Sequence, residues 1–207
     1  MMDEQALLGG LRSGDSQAYE EVTERFAPQI YRLAYGITQD SMDAQDITQD
    51  VMLTIFRRVD EFEGRSSIQT WLYRIAVNAS LDRVRSRQRR QETVSIDEYL
   101  PSFTPEGMHA EEIVDWSELP LDHLLMQESQ QKLQESINSL PEDLKVVLVM
   151  KDVEGFHLKE ICDILELSLP AVKSRLHRAR LALRGMLSSY FREKERHKTH
   201  ERRASTR

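Results

Sequence analysis

The sequence predicts an all-α protein of two small helical domains joined by an acidic, flexible linker. Apolar residues recur every three or four positions along most of the chain, and no strand-like alternation is sustained beyond a few residues. Gly and Pro are absent from Arg65 through Leu100. The longest apolar run, Val146 to Met150, is far short of the ~20 residues that span a bilayer. The start of the chain lacks the basic and apolar regions of a signal peptide, and the lone Cys162 has no partner for an internal disulfide. A reducing cytoplasm is the expected location.

The first helical stretch carries Tyr19, Val22, Phe26, Ile30, Leu33 and Ile37 on one face, with Pro28 predicting a break or kink that makes it a pair of helices. Asp43 reads as the N-cap of a second stretch, whose face is Ile47, Val51, Ile55, Val59 and Phe62 and whose end lies near Gly64. Ser66 or Ser67 opens a longer helix with Ile68, Trp71, Leu72, Ile75, Ala76, Ala79 and Val84 inward. Residues 14–91 therefore form the first domain. Periodicity fails over 92–120, where Pro101, Pro105, Gly107 and Pro120 mark a linker. It resumes with Leu121, Leu124, Leu125, Leu133 and Ile137, and a further helix follows the Leu140-Pro141-Glu142 break over 143–153. The second domain spans 121–186 and 187–207 is a basic C-terminal tail, of which Arg192 to Arg207 is basic and polar without an apolar stripe and open to disorder.

Charge divides the chain in the same places. The formal net charge of −7 is the sum of −7 over 1–82, +5 over 83–91, −12 over 92–143, −2 over 144–172 and +9 over 173–207. Two basic stretches separated by an acidic one fit two contact points on a polyanion.

In the second domain, a short helix over 158–165, a tight Glu166-Leu167-Ser168 connection and a longer helix over 169–185, capped by Ser168 with Pro170 in its first turn, have helix-turn-helix spacing. Val172, Leu176, Ala179 and Leu183 fall on the inner face, leaving Lys173, Ser174, His177, Arg178 and Arg184 outward. Basic and hydrogen-bonding side chains on a protruding helix suit the DNA major groove. In the first domain, Trp71, Arg74, Asn78, Asp82, Arg85 and Arg89 step by three or four into a polar ridge beside the apolar face. Unstacked bases need stacking surfaces and hydrogen-bonding edges, which Trp71 and Asn78 offer, while Arg85, Arg87 and Arg89 can follow phosphates. Trp71 reads equally as core.

Residues 140–184, LPEDLKVVLVMKDVEGFHLKEICDILELSLPAVKSRLHRARLALR, resemble region 4 of sigma-70-type transcription initiation factors, particularly the extracytoplasmic-function (ECF) group. Residues 43–90, DAQDITQDVMLTIFRRVDEFEGRSSIQTWLYRIAVNASLDRVRSRQRR, independently resemble region 2 of that group. The resemblance implies binding to core RNA polymerase through Asp43, Asp46, Gln49, Asp50 and Phe56. It implies minus 10 recognition and melting through Phe62, Ser66, Thr70, Trp71, Arg74, Asn78, Asp82, Arg85 and Arg89. It further implies minus 35 recognition through Lys173, Ser174, Arg175, His177, Arg178 and Arg180. Promoter DNA and an anti-sigma factor are the other implied partners, the regulon being stress- or signal-responsive. Asp43 and Asp46 also have a purely local explanation in the dipole at a helix start, and Phe56 one in the core. The family usually has a small residue where Cys162 stands, and Leu169-Pro170 is a variation at the start of the second helix of the motif.

No enzyme, metal or cofactor is expected. Cys162 with His157, His177, His197 and His200 lacks the paired spacing of a zinc site, which leaves a buried thiol and solvated histidines. No carboxylate pair is accompanied by a glycine-rich phosphate loop or a nucleophile elbow. The competing reading is a stand-alone helix-turn-helix regulator whose first domain is a sensor or oligomerisation module. A docking helix followed by a basic, aromatic-bearing ridge favours the sigma factor.

Overall fold

The computed structural model describes residues 2–88 and 127–204, all of whose regular structure is helical. The α-helices are α1 (Glu4–Ser13), α2 (Ser16–Thr38), α3 (Ser41–Arg58), α4 (Ile68–Gln88), α5 (Gln127–Ser139), α6 (Glu142–Leu148), α7 (Leu158–Leu165) and α8 (Leu169–Ala204). A 3₁₀ turn, Val59–Glu61, follows α3, and a π-helical turn, Val149–Val153, follows α6. The linker, with Leu121, Leu124 and Leu125, lies outside the described residues. None of the described helices is long and apolar enough to cross a membrane. The chain divides into two compact units, one of 1–93 with 146–175, the other of 94–145 with 176–207.

In the first unit, α2, α3 and α4 share one apolar core. Val22, Phe26, Ile30, Leu33 and Ile37 meet Ile47, Val51 and Ile55 and Leu72, Ala76 and Val77, all nearly inaccessible. Helix α2 is a single helix that continues through Pro28. Pro28 and Glu24 are both exposed, so the carbonyl that loses its helical partner faces water and the helix need not end. Helix α4 starts as expected, with Ser67 Oγ accepting from the Thr70 amide at 3.1 Å. Its most buried face is Leu72, Tyr73, Ala76, Val77 and Ser80, with Trp71, Ile75 and Ala79 half-buried beside it.

The cap of α3 is Asp40, whose Oδ1 accepts from the amides of Met42 at 2.9 Å and Asp43 at 3.0 Å. Asp43, the expected cap, instead lies inside the first turn and is turned inward against α4. Helix α1 lies outside the expected span 14–91. It is capped by Asp3 and ended by Gly14 at φ 76°, and it buries Leu7 and Leu11. Glu4 Oε1 accepts from the amide of Ile68 at 2.7 Å, and Arg12 donates to the carbonyl of Phe62 at 2.7 Å, so α1 fixes both ends of the loop between α3 and α4. The orphan amide of Ile68 at the start of α4 thus receives a charged acceptor.

The same unit holds the π-helical turn, α7 and the start of α8. Glu160 accepts from the amide of His157 at 2.7 Å at the start of α7, and Glu166 ends the helix in the left-handed region at φ 55°. Ser168 Oγ accepts from Ala171 at 3.4 Å, which supplies the expected cap of α8. Cys162 is half-buried rather than buried.

The second unit contains α5, residues 142–145 and α8 from 176 onward. Ile137, Leu140 and Leu144 are buried within it, as are Leu176, Ala179, Ala182, Met186 and Leu187. Leu133, expected inward, is 38% exposed, and Lys132 Nζ lies 6.0 Å from the Tyr190 ring centre. Leu183 and Arg184 are both half-buried, so the inner face of α8 is rotated toward Ala182 and Met186. The helix passes through Gly185 and reaches Ala204, so the basic tail over 187–204 is helical.

Candidate nucleic-acid interface

Helix α3 presents an outer stripe of Met42, Asp46, Gln49, Leu53 and Phe56, spaced by three and four. Met42 is 66% exposed, Phe56 55% and Leu53 47%, which leaves apolar surface rimmed by the carboxylates of Asp46 and Asp50. Phe56 is stacked on Tyr19 with ring centres 3.7 Å apart, and the Tyr19 hydroxyl donates to the carbonyl of Leu11 at 3.0 Å. The aromatic is therefore held flat on the surface rather than placed in the core. Asp43 is not part of this stripe: its Oδ1 lies 3.4 Å from Arg83 and its Oδ2 2.7 Å from Arg87. The shorter contact lacks hydrogen-bond alignment, so the pair is held by charge.

On α4 the expected ridge forms one outer stripe, with Asn78, Asp82 and Arg85 exposed and Trp71 and Arg74 half-buried. Asp82 and Arg85 pair at 3.8 Å. Alternate arginines of the basic segment turn opposite ways. Arg83 and Arg87 face the acids at the start of α3, with Arg83 3.6 Å from Asp46 and Arg87 2.9 Å from Asp40, so Arg87 is not turned outward to follow phosphates. Arg89 lies outside the described residues. Opposed charge at the two helix ends explains the division: α3 begins with Asp40, Asp43 and Asp46 where α4 ends with Arg83 and Arg87.

The loop between α3 and α4 borders an open cleft of about 450 Å³ lined by Phe62, Ser66, Trp71 and Arg74, among others. Phe62 is only 4% exposed, with its ring centre 5.4 Å from that of Trp71 at a 50° tilt. Phe62 thus serves as the floor that supports Trp71, leaving the indole partly open to the cleft. Ser66 and Thr70 are half-buried nearby. Arg74 reaches the carbonyl of Asp163 at 2.6 Å and the carboxylate of Glu166 at 2.9 Å.

On α8, Lys173, Ser174, His177, Arg178 and Arg180 are exposed and Arg175 is half-buried. Val172 and Leu176 beneath them are buried, so the helix is anchored by its inner face while its polar face stays open. Among the described residues no group of three His, Cys, Asp or Glu side chains is placed to hold a metal ion.

Sequence reasoning missed four participants, Asp40, Glu4, Arg12 and Tyr19. Asp40 shows the N-cap signature one turn before the residue chosen for it. Glu4 and Arg12 belong to α1, which precedes the expected span 14–91, and only the fold brings them to the loop. Tyr19, the platform under Phe56, carried no signal beyond its place on the helix face.

Residues 22–90 match Sigma-70 region 2, and residues 130–183 match Sigma-70 region 4. The chain is 30% identical over 177 residues to the ECF RNA polymerase sigma factor SigW of Bacillus subtilis, covering 86% of this chain and 92% of that protein. It is 30% identical over 190 residues to the RNA polymerase sigma-H factor of Pseudomonas aeruginosa, covering 92% and 96%. Two solved structures are similar in fold. They are CnrH in complex with the cytosolic domain of CnrY (TM-score 0.61, 19% identity, 90% of this chain and 97% of that one) and the sigma factor RpoE of Bartonella quintana in complex with the anti-sigma factor NepR (TM-score 0.56, 20% identity, 82% and 96%). Both halves of the chain match, over nearly the whole length of these relatives, and the chain therefore belongs to the ECF group of the sigma-70 family of RNA polymerase sigma factors.

Proposed function

We propose that this sigma factor docks on core RNA polymerase through the outer stripe of α3, holds the minus 35 element with the exposed face of α8, and captures the opened minus 10 strand along α4. The observation that carries this reading is the coexistence in one chain of an aromatic and polar stripe beside a cleft and a capped, basic helix-turn-helix. On α3, Asp46, Gln49, Asp50 and Phe56 are the docking residues, because an acidic rim around an exposed ring suits a basic partner surface. Asp43 acts from inside by holding Arg83 and Arg87.

On α4, Trp71 offers a stacking edge above Phe62, and Asn78, Asp82 and Arg85 offer hydrogen bonds and charge to a separated base and its backbone. On α8, the exposed Lys173, Ser174 and His177 in the first turns are the proposed base-reading residues, on the part that enters a major groove, while the half-buried Arg175 and, further along, Arg178 and Arg180 are the proposed phosphate contacts. Promoter opening in this scheme draws on binding free energy, without covalent chemistry. The working domains are 14–91 and 121–186, joined by a linker over 92–120 whose acidity repels free DNA and suits a basic channel, with 187–207 as a basic extension. The protein works in the cytoplasm, and an anti-sigma factor is its proposed inhibitor. The two structural neighbours are each in complex with another protein, an anti-sigma factor in the second case.

The test is transcription of a randomised promoter library by core polymerase with and without this chain, followed by sequencing of the transcript starts. Dependent starts that share two spaced elements support the reading. Absence of both dependent starts and core binding, with duplex binding retained, replaces it with a stand-alone regulator.

A further inference from the structure

We propose that Glu4 and Arg12 of α1 are positioning residues for promoter opening, which together fix the shape of the loop over 62–67 where the opened minus 10 strand is received. The inference rests on the strand-capture role just proposed for α4 and the cleft beside it, and every residue it uses lies inside the first compact unit.

The loop has little of its own to hold its shape. Of residues 62–67 only Phe62 is buried, and the exposed Glu63 and Arg65 pair with each other. Gly64 takes a left-handed φ of 71°, with open space where a Cβ would stand. Local bonds order the loop at its ends: the Phe62 amide donates to the Val59 carbonyl at 3.1 Å, and the Ser67 hydroxyl lies 2.9 Å from that of Thr70. A connection with so few buried side chains belongs to the low-stability end of a fold.

Helix α1 supplies what the loop lacks. Leu7 and Leu11 are inaccessible, and Gly10 approaches α2 so closely that a Cβ there would lie 2.6 Å from Ala18 Cβ. Glu21 of α2 accepts the Met2 amide at 2.8 Å, so α1 is a strut seated along α2. Its two ends carry the ties. Glu4, in the first turn, accepts from the Ile68 amide at 2.7 Å, and Arg12, in the last turn, donates to the Phe62 carbonyl at 2.7 Å. Eight residues of helix, about 12 Å of rise, separate the two, so the entry and exit of the loop are tied to a fixed length. Neither side chain lines the cleft, and each acts through another residue. Phe62 is the floor under Trp71, and Ile68 starts the helix that carries Thr70, Trp71 and Arg74. Both Glu4 and Arg12 are exposed, where a substitution disturbs the core little, yet each spends a charge-assisted hydrogen bond on the backbone of the loop. A loop ordered in advance spares the arriving strand the cost of ordering it.

The test uses the full chain with Trp116→Phe, which leaves Trp71 as the sole tryptophan. Glu4→Met and Arg12→Met keep an unbranched stem and delete the acceptor or the donors, whereas Glu4→Gln and Arg12→Lys keep one of them. Acrylamide quenching of Trp71 is read first, with neither DNA nor polymerase present, and is expected to rise in both Met variants. Holoenzyme affinity is then read across a salt series with a fluorescein-labelled single strand carrying the minus 10 element recovered from the transcript-start experiment. Each Met variant is expected to weaken strand binding about threefold to tenfold, the range of one net hydrogen bond, with Glu4→Gln and Arg12→Lys recovering most of the loss. The sign at Glu4 separates positioning from charge. Deleting a carboxylate favours phosphate by electrostatics alone, so tighter binding by Glu4→Met, or parental binding in both Met variants, would overturn the proposal. A salt slope reduced by about 0.7 in Arg12→Met would overturn it at that residue, making Arg12 a direct phosphate contact. The two sites report independently, so loss of folding in one variant leaves the other decisive. Because quenching needs no DNA, parental quenching in the Met variants counts against α1. Raised quenching with strand affinity unchanged by Asn78→Ala, Asp82→Ala and Arg85→Ala counts against the strand-capture reading alone.

Discussion

Arg87, in the last turn of α4, reaches back to Asp40, the residue that caps α3, with Nη2 2.9 Å from Oδ2. The other oxygen of Asp40 accepts the amides of Met42 and Asp43, so one carboxylate both starts a helix and ties down the end of another. The tie sets the rotation of α4. With Arg83 and Arg87 committed to α3, the residues between and before them, Arg85, Asp82 and Asn78, are the ones left facing solvent.

Asp40 should therefore stabilise the fold in a pH-dependent way. The Asp43 amide first, and then Arg87, hold its carboxyl below the ordinary value of 3.8. A folded-state value lower than the unfolded one means that the stabilisation is fully present above 3.8 and is lost as pH falls below it. Asp40→Ala is expected to lower the thermal midpoint by about 2–4 °C at neutral pH, with the difference from the parent shrinking as the pH drops below the ordinary carboxylate value. Calorimetry of both proteins across an acid series checks this, and a pH-independent difference would show that the cap and pair do not carry the effect.

The miss at Asp40 illustrates what was legible in the chain. The periods of three and four that mark Val22 to Ile37 and Ile47 to Val59 report burial directly, and those faces are the core. Short connections punctuated by capping residues were equally readable, as in α7 and the Ser168 cap of α8, because their chemistry is local. Asp40 and Asp43 are both plausible caps by type, and the choice is made by Arg83 and Arg87 some forty residues away. Pro28 misled for a related reason, since its consequence depends on which side of the helix faces water. Among the candidate site residues, helical spacing predicts the shared exposed stripe of Asn78, Asp82 and Arg85, whereas Asp43 is turned inward to Arg83 and Arg87. Arg74 was placed on the right stripe, but its partners Asp163 and Glu166 come from a distant segment that no periodicity connects to it.

Lys145 is 5% exposed in a chain whose other buried positions are mostly apolar. Burial pushes its ammonium below the ordinary value of 10.5, with Glu142 only partly opposing the shift. For a base with a depressed folded-state value, the unfolded chain binds more protons, so the destabilisation is largest at neutral pH and fades as pH rises toward 10.5. Lys145→Met is expected to raise the thermal midpoint by about 2–4 °C at pH 7, with the gain diminishing in alkali. Tyr73, whose hydroxyl is raised by burial, destabilises the fold in alkali, but it is common to both proteins and cancels in the difference. A midpoint lowered at pH 7 would mean that Lys145 makes a stabilising contact outweighing its desolvation.

Gly36 is needed for approach rather than for a special backbone angle. Within α2 an alanine would ordinarily favour the helix by about 1 kcal/mol. Here its Cβ would sit 2.6 Å from Val149 Cγ1, and a β-branched side chain has little freedom to withdraw. Gly36→Ala is expected to destabilise by roughly 1–3 kcal/mol in denaturant titration, the usual range for overpacking. Combining it with Val149→Ala should be better than additive, because the second change removes the clashing methyl. Strict additivity would show that the two residues do not meet.

Asn78 projects from α4 one turn beyond Arg74 and is exposed, with no role in the core. Its replacement should leave stability unchanged within about 0.5 kcal/mol, as surface changes usually do. If Asn78 holds an extruded base, Asn78→Ala should slow opening of an intact promoter while leaving a pre-melted template much less affected, since unpairing has already been supplied there. The comparison is made by potassium permanganate footprinting on both templates. Equal defects would assign Asn78 to general strand affinity.

Lys173 and Arg178 are both exposed on α8 but project in different directions and at different depths along it. Lys173 is one turn from the Ser168 cap, where a helix entering the major groove reaches base edges, whereas Arg178 lies further along, where the helix leaves the groove beside the backbone. Lys173→Ala should therefore relax the preference at one base pair of the upstream element by about 1–3 kcal/mol. Arg178→Ala should instead weaken all sequences evenly and reduce the slope of log affinity against log salt by about 1, the signature of one lost phosphate contact. Binding of holoenzyme to a panel of single-substitution upstream elements at several salt concentrations separates the two. Exchange of these signatures would mean that the helix enters the groove from its other end, and an even loss from both would reduce the face of α8 to a nonspecific grip on the duplex.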